Sequence, residues 1–202
     1  MSEFIKLYQK DTNVKILRSI VEKLERGAII IYPTDTTYAM GCSLNCVKTI
    51  NKLKRIKGKD DDNLSIICSD LSDVTNYARI DNQTYKVLRN NAPGAVTFIL
   101  QATNAFPNNF LDNKKSIGIR IPSNNIVHSL VEELGFPLVS TSVPLSVEEY
   151  ENEDEPSLIW DKYKNVVDIV IDGGDVPNEE STIVDFTTGE MEITRQGAVE
   201  IK

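Results

Sequence analysis

The chain has 202 residues, 41% hydrophobic and 26% charged, which suits one well-buried core and predicts a single domain over residues 1–202. No stretch approaches the roughly 20 apolar residues that a membrane span needs, and Met1-Ser-Glu-Phe-Ile-Lys-Leu7 lacks the form of a secretory signal, so a cytoplasmic protein is expected. A net charge of -8 disfavours a general polyanion binder, yet leaves room for one locally basic pocket.

Val14, Leu17, Ile20, Val21 and Leu24 recur at helical spacing, with Gly27 as a stop. Ala28–Tyr32 follows as a buried strand. Val47, Ile50, Leu53 and Ile56 outline a second helix that ends in the basic stretch Lys52 to Lys59. Leu64–Cys68 reads as a strand, and Asp70 and Asp81 are placed as helix N-caps, the second opening Asn82–Asn91. Pro93-Gly94 breaks the chain before the strand Val96–Gln101. Residues 108–115 form a polar loop, and Ile117–Ile121 is the next strand. Pro122-Ser123 caps a helix with the stripe Ile126, Val127, Leu130, Val131 and Leu134, closed by Gly135. Leu138–Ser142 is a strand, and the acidic run Glu148–Glu155 a solvated loop. Val166–Ile171 is a strand ending at the turn Asp172-Gly-Gly-Asp175. Ser181–Phe186 and Met191–Thr194 flank Thr187-Thr-Gly189 as a hairpin. The pattern predicts an α/β fold, a twisted mixed sheet with helices on its outer side.

Within this frame Arg120 is out of place, because Ser116-Ile-Gly-Ile-Arg120-Ile-Pro122 is otherwise apolar. A guanidinium there needs an anion or carbonyl to meet it, either a ligand or a structural ion-pair partner. Pro33-Thr-Asp-Thr-Thr-Tyr38, Arg55-Ile-Lys57, Ser140-Thr-Ser142 and Ser181-Thr182 also put polar groups where a core is expected. Together they outline one anion-binding cleft. Arg55 and Lys57 suit a polyphosphate, although cations also favour a helix C-terminus on their own account. Cys42, Cys46 and Cys68 with the single His128 leave too few ligands for a metal site, and small apolar packing is their expected role. There is no Walker-type or Gly-x-Gly-x-x-Gly run and no credible Ser-His-Asp set. Any chemistry must rest on positioning and electrostatics.

The order of the motifs resembles the YrdC/YciO family over about Val14 to Gly197. The matching landmarks are Tyr32-Pro-Thr-Asp-Thr-Thr-Tyr38, Lys54-Arg-Ile-Lys57, Pro93-Gly-Ala-Val-Thr97, Gly118-Ile-Arg-Ile-Pro122, Pro137-Leu-Val-Ser-Thr-Ser142, Ser181-Thr-Ile-Val-Asp185 and Arg195-Gln-Gly197. The stretch Lys57–Asn63 looks closer to the YciO branch. The resemblance implies a YrdC/RibB-like domain with a largely antiparallel mixed sheet and outer helices around a concave basic cavity. It implies a threonylcarbamoyl-AMP synthase, a nucleotidyltransferase that forms threonylcarbamoyl-adenylate from threonine, bicarbonate and ATP for modification of tRNA adenosine-37. Mg²⁺ would come with the nucleotide. The alternative is a noncatalytic module of the same fold that binds a nucleotide, tRNA or double-stranded RNA. Carried over by motif, Thr36, Arg120, Ser140 and Ser181 would face threonine. Arg55, Lys57, Ser116, Ser142 and Arg195 would face the nucleotide, with Arg55 and Lys57 in the catalytic role of spreading phosphate charge. Two departures stand out. Arg55-Ile-Lys57 replaces the Lys-x-Arg of the YrdC branch, and Ser142-Val-Pro144 replaces its Ser-Ala-Asn.

Overall fold

The structure, a computed structural model, describes residues 2–10, 13–58, 64–107, 110–111, 114–143 and 155–202. In chain order the elements are β1 (Glu3–Lys6), α1 (Val14–Glu25), β2 (Ile30–Tyr32), β3 (Ala39–Ser43), α2 (Val47–Lys57) and β4 (Ser65–Ile67). Next come α3 (Leu71–Tyr77), β5 (Ala78–Arg79), α4 (Asn82–Asn91), β6 (Val96–Ala102), β7 (Ser116–Arg120) and α5 (Asn125–Leu134). The chain closes with β8 (Leu138–Ser142), α6 (Glu155–Tyr163), β9 (Ile169–Asp172), β10 (Thr182–Asp185) and β11 (Glu192–Arg195). All the strands join one sheet in the order β1-β9-β2-β3-β8-β4-β7-β6-β10-β11, with β5 pairing on β6.

The sheet is mixed rather than largely antiparallel. β1 with β9, β2 with β9, β4 with β7 and β6 with β10 run parallel. Each of these pairs is separated in sequence by a long, helix-bearing or multi-strand connection, which is what parallel neighbours require. The antiparallel neighbours include the expected hairpin of β10 and β11.

Strand alternation sorts the core into two layers. Ile29, Ile31, Met40, Ile66, Phe98, Ile119, Val139 and Val170 share one face with Ile50 and Leu53 of α2, Val74, Leu88 and Ile159. Ile30, Tyr32, Ile67, Leu138, Ile169 and Ile171 share the other with the stripes of α1 and α5. Helices therefore lie on both faces, not only on an outer side. Among the described residues the second face is covered by two helices, α1 and α5, which pack over the β9-β2-β3-β8 half. Over the β4-β7-β6-β10 half that face opens as a cleft.

The predicted helix starts at Asp70 and Asp81 are present, each carboxylate accepting a backbone N–H three residues on. The start of α5 lies one residue later than expected, with Asn124 accepting from the N–H groups of Ile126 and Val127. Gly135 ends that helix at φ 75°, the left-handed position that suits glycine. Strand β3 went unread because Ala-Met-Gly-Cys-Ser carries no β-branched residue. The cause is a close approach: a Cβ on Gly41 would lie 2.5 Å from the carbonyl oxygen of Val139 on β8. β1, β5 and the whole of α6 were also unread, and the acidic-loop assignment reached Glu155, the first residue of α6. Asp60–Asp62, Asn63, Pro144 and the acidic residues 148–154 lie outside the described residues.

Cys42 and Cys68 are buried among these apolar side chains, and all the cysteines are free thiols. Burial pushes the Cys42 thiol up to about 12, and burial with the neighbouring Asp73 carboxylate pushes Cys68 higher still. Since the thiolate is the reactive form, the folded protein should expose at most Cys46 to maleimide at about pH 8. In denaturant all should label; intact-mass counting checks this, and rapid native labelling of Cys42 or Cys68 would contradict the packing.

Candidate functional site

The open half of the second face is built by alternation. Ser65 and Ile67 of β4, Ser116, Gly118 and Arg120 of β7, and Ser140 and Ser142 of β8 all line a cleft of about 520 Å³. Thr97 and Ile99 of β6 and Ile183 and Asp185 of β10 extend its floor. Register fixes their order: Ser140 pairs with Ser65, Ser65 with Gly118, and Gly118 with Ile99. Ser116 and Ser142 therefore lie toward one end of the cleft and Arg120 toward the other. Four residues along a strand separate Ser116 from Arg120 by about 13 Å. The absence of a side chain on Gly118 leaves the middle of the floor low, since a Cβ there would press to 3.2 Å on Ser65.

Arg120 is the centre of its end. Its side chain is 10% exposed, and Nη2 donates to Oδ1 of Asp35 at 2.6 Å. Nη1 donates to Oγ1 of Thr36 at 2.8 Å. Burial pulls the guanidinium pKa down from its ordinary value, and the Asp35 charge opposes that pull. Nε is buried and has no hydrogen-bond partner among the described residues. One edge of the fork is thus tied to protein, and its third nitrogen donor is unsatisfied.

The hydroxyls around it form a connected set. Thr34 Oγ1 donates to the carbonyl of Thr37 at 2.6 Å and lies 3.0 Å from Thr36 Oγ1. The hydroxyl of Tyr32, a fully buried side chain, donates to Ser140 Oγ at 2.6 Å. Burial raises the Tyr32 pKa, so this phenol stays protonated. On the far side Ser181 Oγ lies 2.9 Å from Thr97 Oγ1 and accepts from Arg195 Nη2 at 3.2 Å. Arg195 also donates from Nε to the Ser181 carbonyl and pairs with Glu180 at 3.0 Å. Lys54 and Lys57, from the last turn of α2, and Lys114 bring further positive charge to the lining. On an acidic chain this concentrates positive potential in one concavity.

The Sua5/YciO/YrdC family model, described as "Telomere recombination", matches residues 22–197. The chain belongs to this family. It is 35% identical to the protein YciO of Escherichia coli over 204 residues, covering 100% of this chain and 98% of that one. The crystal structure of E. coli YciO superposes with a TM-score of 0.91 at 34% identity. More distantly, the chain is 28% identical to a threonylcarbamoyl-AMP synthase of Bos taurus, over 90% of this chain and 67% of that one. The fold is also shared with P. abyssi Sua5 complexed with L-threonine, at a TM-score of 0.85, 20% identity and 58% of that longer chain.

Among Sua5/YciO/YrdC landmarks, the structure brings Thr36, Lys57, Ser116, Arg120, Ser140, Ser142, Ser181 and Arg195 into the one cleft. Arg55 is not among its lining residues and is exposed. Helical geometry explains this: Lys54 and Lys57, three apart, share a face, and Arg55 is turned about 100° from Lys54. Of the matched Arg55-Ile-Lys57 pair, Lys57 lines the cleft and Arg55 does not. Arg195 is bound to Ser181 and close enough to Arg120 to depress its pKa, so it stands beside the residues matched to threonine. The sequence reading missed Asp35 as the partner of Arg120, although its carboxylate adjoins Thr36. It also missed Tyr32, hidden in an apolar run, and Thr97, which strict alternation along β6 could have placed on the Arg120 face.

The Arg120–Asp35 pair yields a stability prediction. Arg120→Ala and Asp35→Ala should each destabilise by about 3–5 kcal/mol, because each strands a buried charge. The double variant should lose clearly less than the sum of the two. Urea unfolding of the four proteins tests this, and strict additivity would mean that the two groups do not depend on each other.

Proposed function

We propose that this protein is a threonylcarbamoyl-AMP synthase-like enzyme serving tRNA adenosine-37 modification. The observation that carries the reading is the division of the cleft into two polar ends, with Arg120, Thr36 and Ser181 at one and Ser116 and Ser142 at the other. The volume, about 520 Å³, suits an amino acid and a nucleotide held together. The bovine relative's name supplies the reaction. A net charge of -8 weighs against the alternative, an extended duplex-RNA surface.

In this reading the unsatisfied Nε of Arg120 receives the substrate carboxylate, and Thr36 lies beside the amino group. The amine adds to bicarbonate to give a carbamate, with loss of water. A carbamate oxygen then attacks the α-phosphorus of ATP, and diphosphate leaves. Lys54, Lys57 and Lys114 spread the charge of the phosphates, and the cleft holds the reactants in line. The facing carboxylates are already engaged, Glu180 by Arg195 and Asp185 by the N–H of Thr187. They offer no ready ligand set, so Mg²⁺ would be held through the nucleotide's own phosphates.

The test is diphosphate release from ATP, with threonine and bicarbonate added or omitted. Wild type should turn over only when both are present, and Lys57→Ala should slow turnover by about tenfold or more. Salt-sensitive binding of an RNA duplex without any threonine-dependent turnover would replace the enzyme with the binding module.

A further inference from the structure

The direction of each hydroxyl at the Arg120 end follows from counting hydrogens. A hydroxyl has one hydrogen to give. Thr34 gives its hydrogen to the Thr37 carbonyl at 2.6 Å. The 3.0 Å contact between the hydroxyls of Thr34 and Thr36 must then be a donation by Thr36. Thr36 also accepts from Arg120 Nη1. It has spent its hydrogen and can offer the cleft only a lone pair.

Ser140 is in the opposite condition. Tyr32 donates to its oxygen at 2.6 Å, and no described protein group accepts the hydrogen of Ser140. Ser140 lines the cleft, so its hydrogen is available to a ligand acceptor there. The nearby guanidinium reinforces this pole, because its Nε–H is also a donor without an acceptor among the described residues, and its charge is felt at the Tyr32 hydroxyl.

We infer that Tyr32 and Thr34 are positioning residues that give the site a fixed hydrogen-bond polarity, with Ser140 and Arg120 donating to a carboxylate and Thr36 accepting from an ammonium or hydroxyl. This rests on the proposed amino-acid-binding function and sharpens its substrate class. The site reads a zwitterion through Ser140, Arg120 and Thr36, whose hydrogen directions are set by Tyr32 and Thr34 behind or beside them. Tyr32 is wholly buried and reaches the ligand only through Ser140. Thr34 reaches the edge of the cleft, but its hydrogen is spent on the Thr37 carbonyl, and it sets the direction of the Thr36 hydroxyl.

The experiment measures affinity by calorimetry for threonine, threonine amide and 3-hydroxybutyrate. The amide lacks the anionic carboxylate, and 3-hydroxybutyrate lacks the ammonium. Wild type should prefer threonine to both. Tyr32→Phe keeps the ring and removes only the hydroxyl, so it should fold. Its preference for threonine over the amide should fall about tenfold, the order of a weakened charge-assisted bond, while its preference over 3-hydroxybutyrate stays. Thr34→Val should show the reverse pattern, and Ser140→Ala should reproduce Tyr32→Phe. Equal loss of both preferences in Tyr32→Phe, or retention of both, overturns the positioning role. Wild type that binds no threonine overturns the amino-acid reading itself, and this inference with it.

Discussion

Everything at the site depends on one buried cation. Arg120 sits on a central strand where its neighbours in sequence are core residues, and its charge is tolerable there because Asp35 reaches it at 2.6 Å. The two groups come from opposite sides of the sheet order, one from β7 and one from the loop after β2. The ion pair therefore spans β3, β8 and β4, and it ties the loop over the mouth of the cleft to its floor. A buried pair of this kind is poor evidence of net stabilisation, since desolvation consumes most of the Coulomb gain. Its value is positional. It holds a guanidinium charged and partly unsatisfied at a fixed point in a cavity.

The cavity itself follows from uneven coverage. α1 and α5 protect one half of a sheet face, and no described helix protects the other half. An antiparallel or mixed sheet can leave one face to solvent if its outward residues are polar. Here the exposed half interleaves serine, threonine, glycine and Arg120 with Ile67, Ile99 and Ile183, whereas its reverse side is apolar throughout the core cluster. The apolar reverse makes the strands, and the polar obverse makes the site, out of the same alternating segments.

Much of this was legible in the sequence, and the limits have physical causes. Helices could be read where local signals marked them, α1 by its apolar stripe and the Gly27 stop and α4 by the Asp81 cap. Arg120 could be read because a charge in an apolar strand violates a rule with a large penalty. The family's order of motifs then gathered Thr36, Ser116, Ser140, Ser142, Ser181 and Arg195 into the same cleft as Arg120. Asp35 as the partner could not be read, because the pairing of residues 85 apart is set by the sheet order. That Arg55 stands outside the lining could not be read, because the cations of α2 look alike in sequence and only the rotation of the helix relative to the sheet decides which of them face the cleft. β3 was missed because its small residues answer to a close neighbour, Val139 on β8, rather than to strand propensity.

The polar network also shows why composition alone undersells such a site. Counted as residue types, Tyr32, Thr34, Thr36 and Ser140 are four hydroxyls that could each donate or accept. Counted as bonds, three have spent their hydrogens on protein acceptors before any ligand arrives, and the fourth, Ser140, is held as a donor by the tyrosine behind it. A hydroxyl free to turn would adapt to any ligand and discriminate little. One with a committed hydrogen leaves a mismatched ligand with an unpaired polar group, which costs more than a good match gains. Selectivity in this cleft therefore arises from side chains in the core beneath it, and substitutions that preserve every lining residue can still change what the cleft accepts.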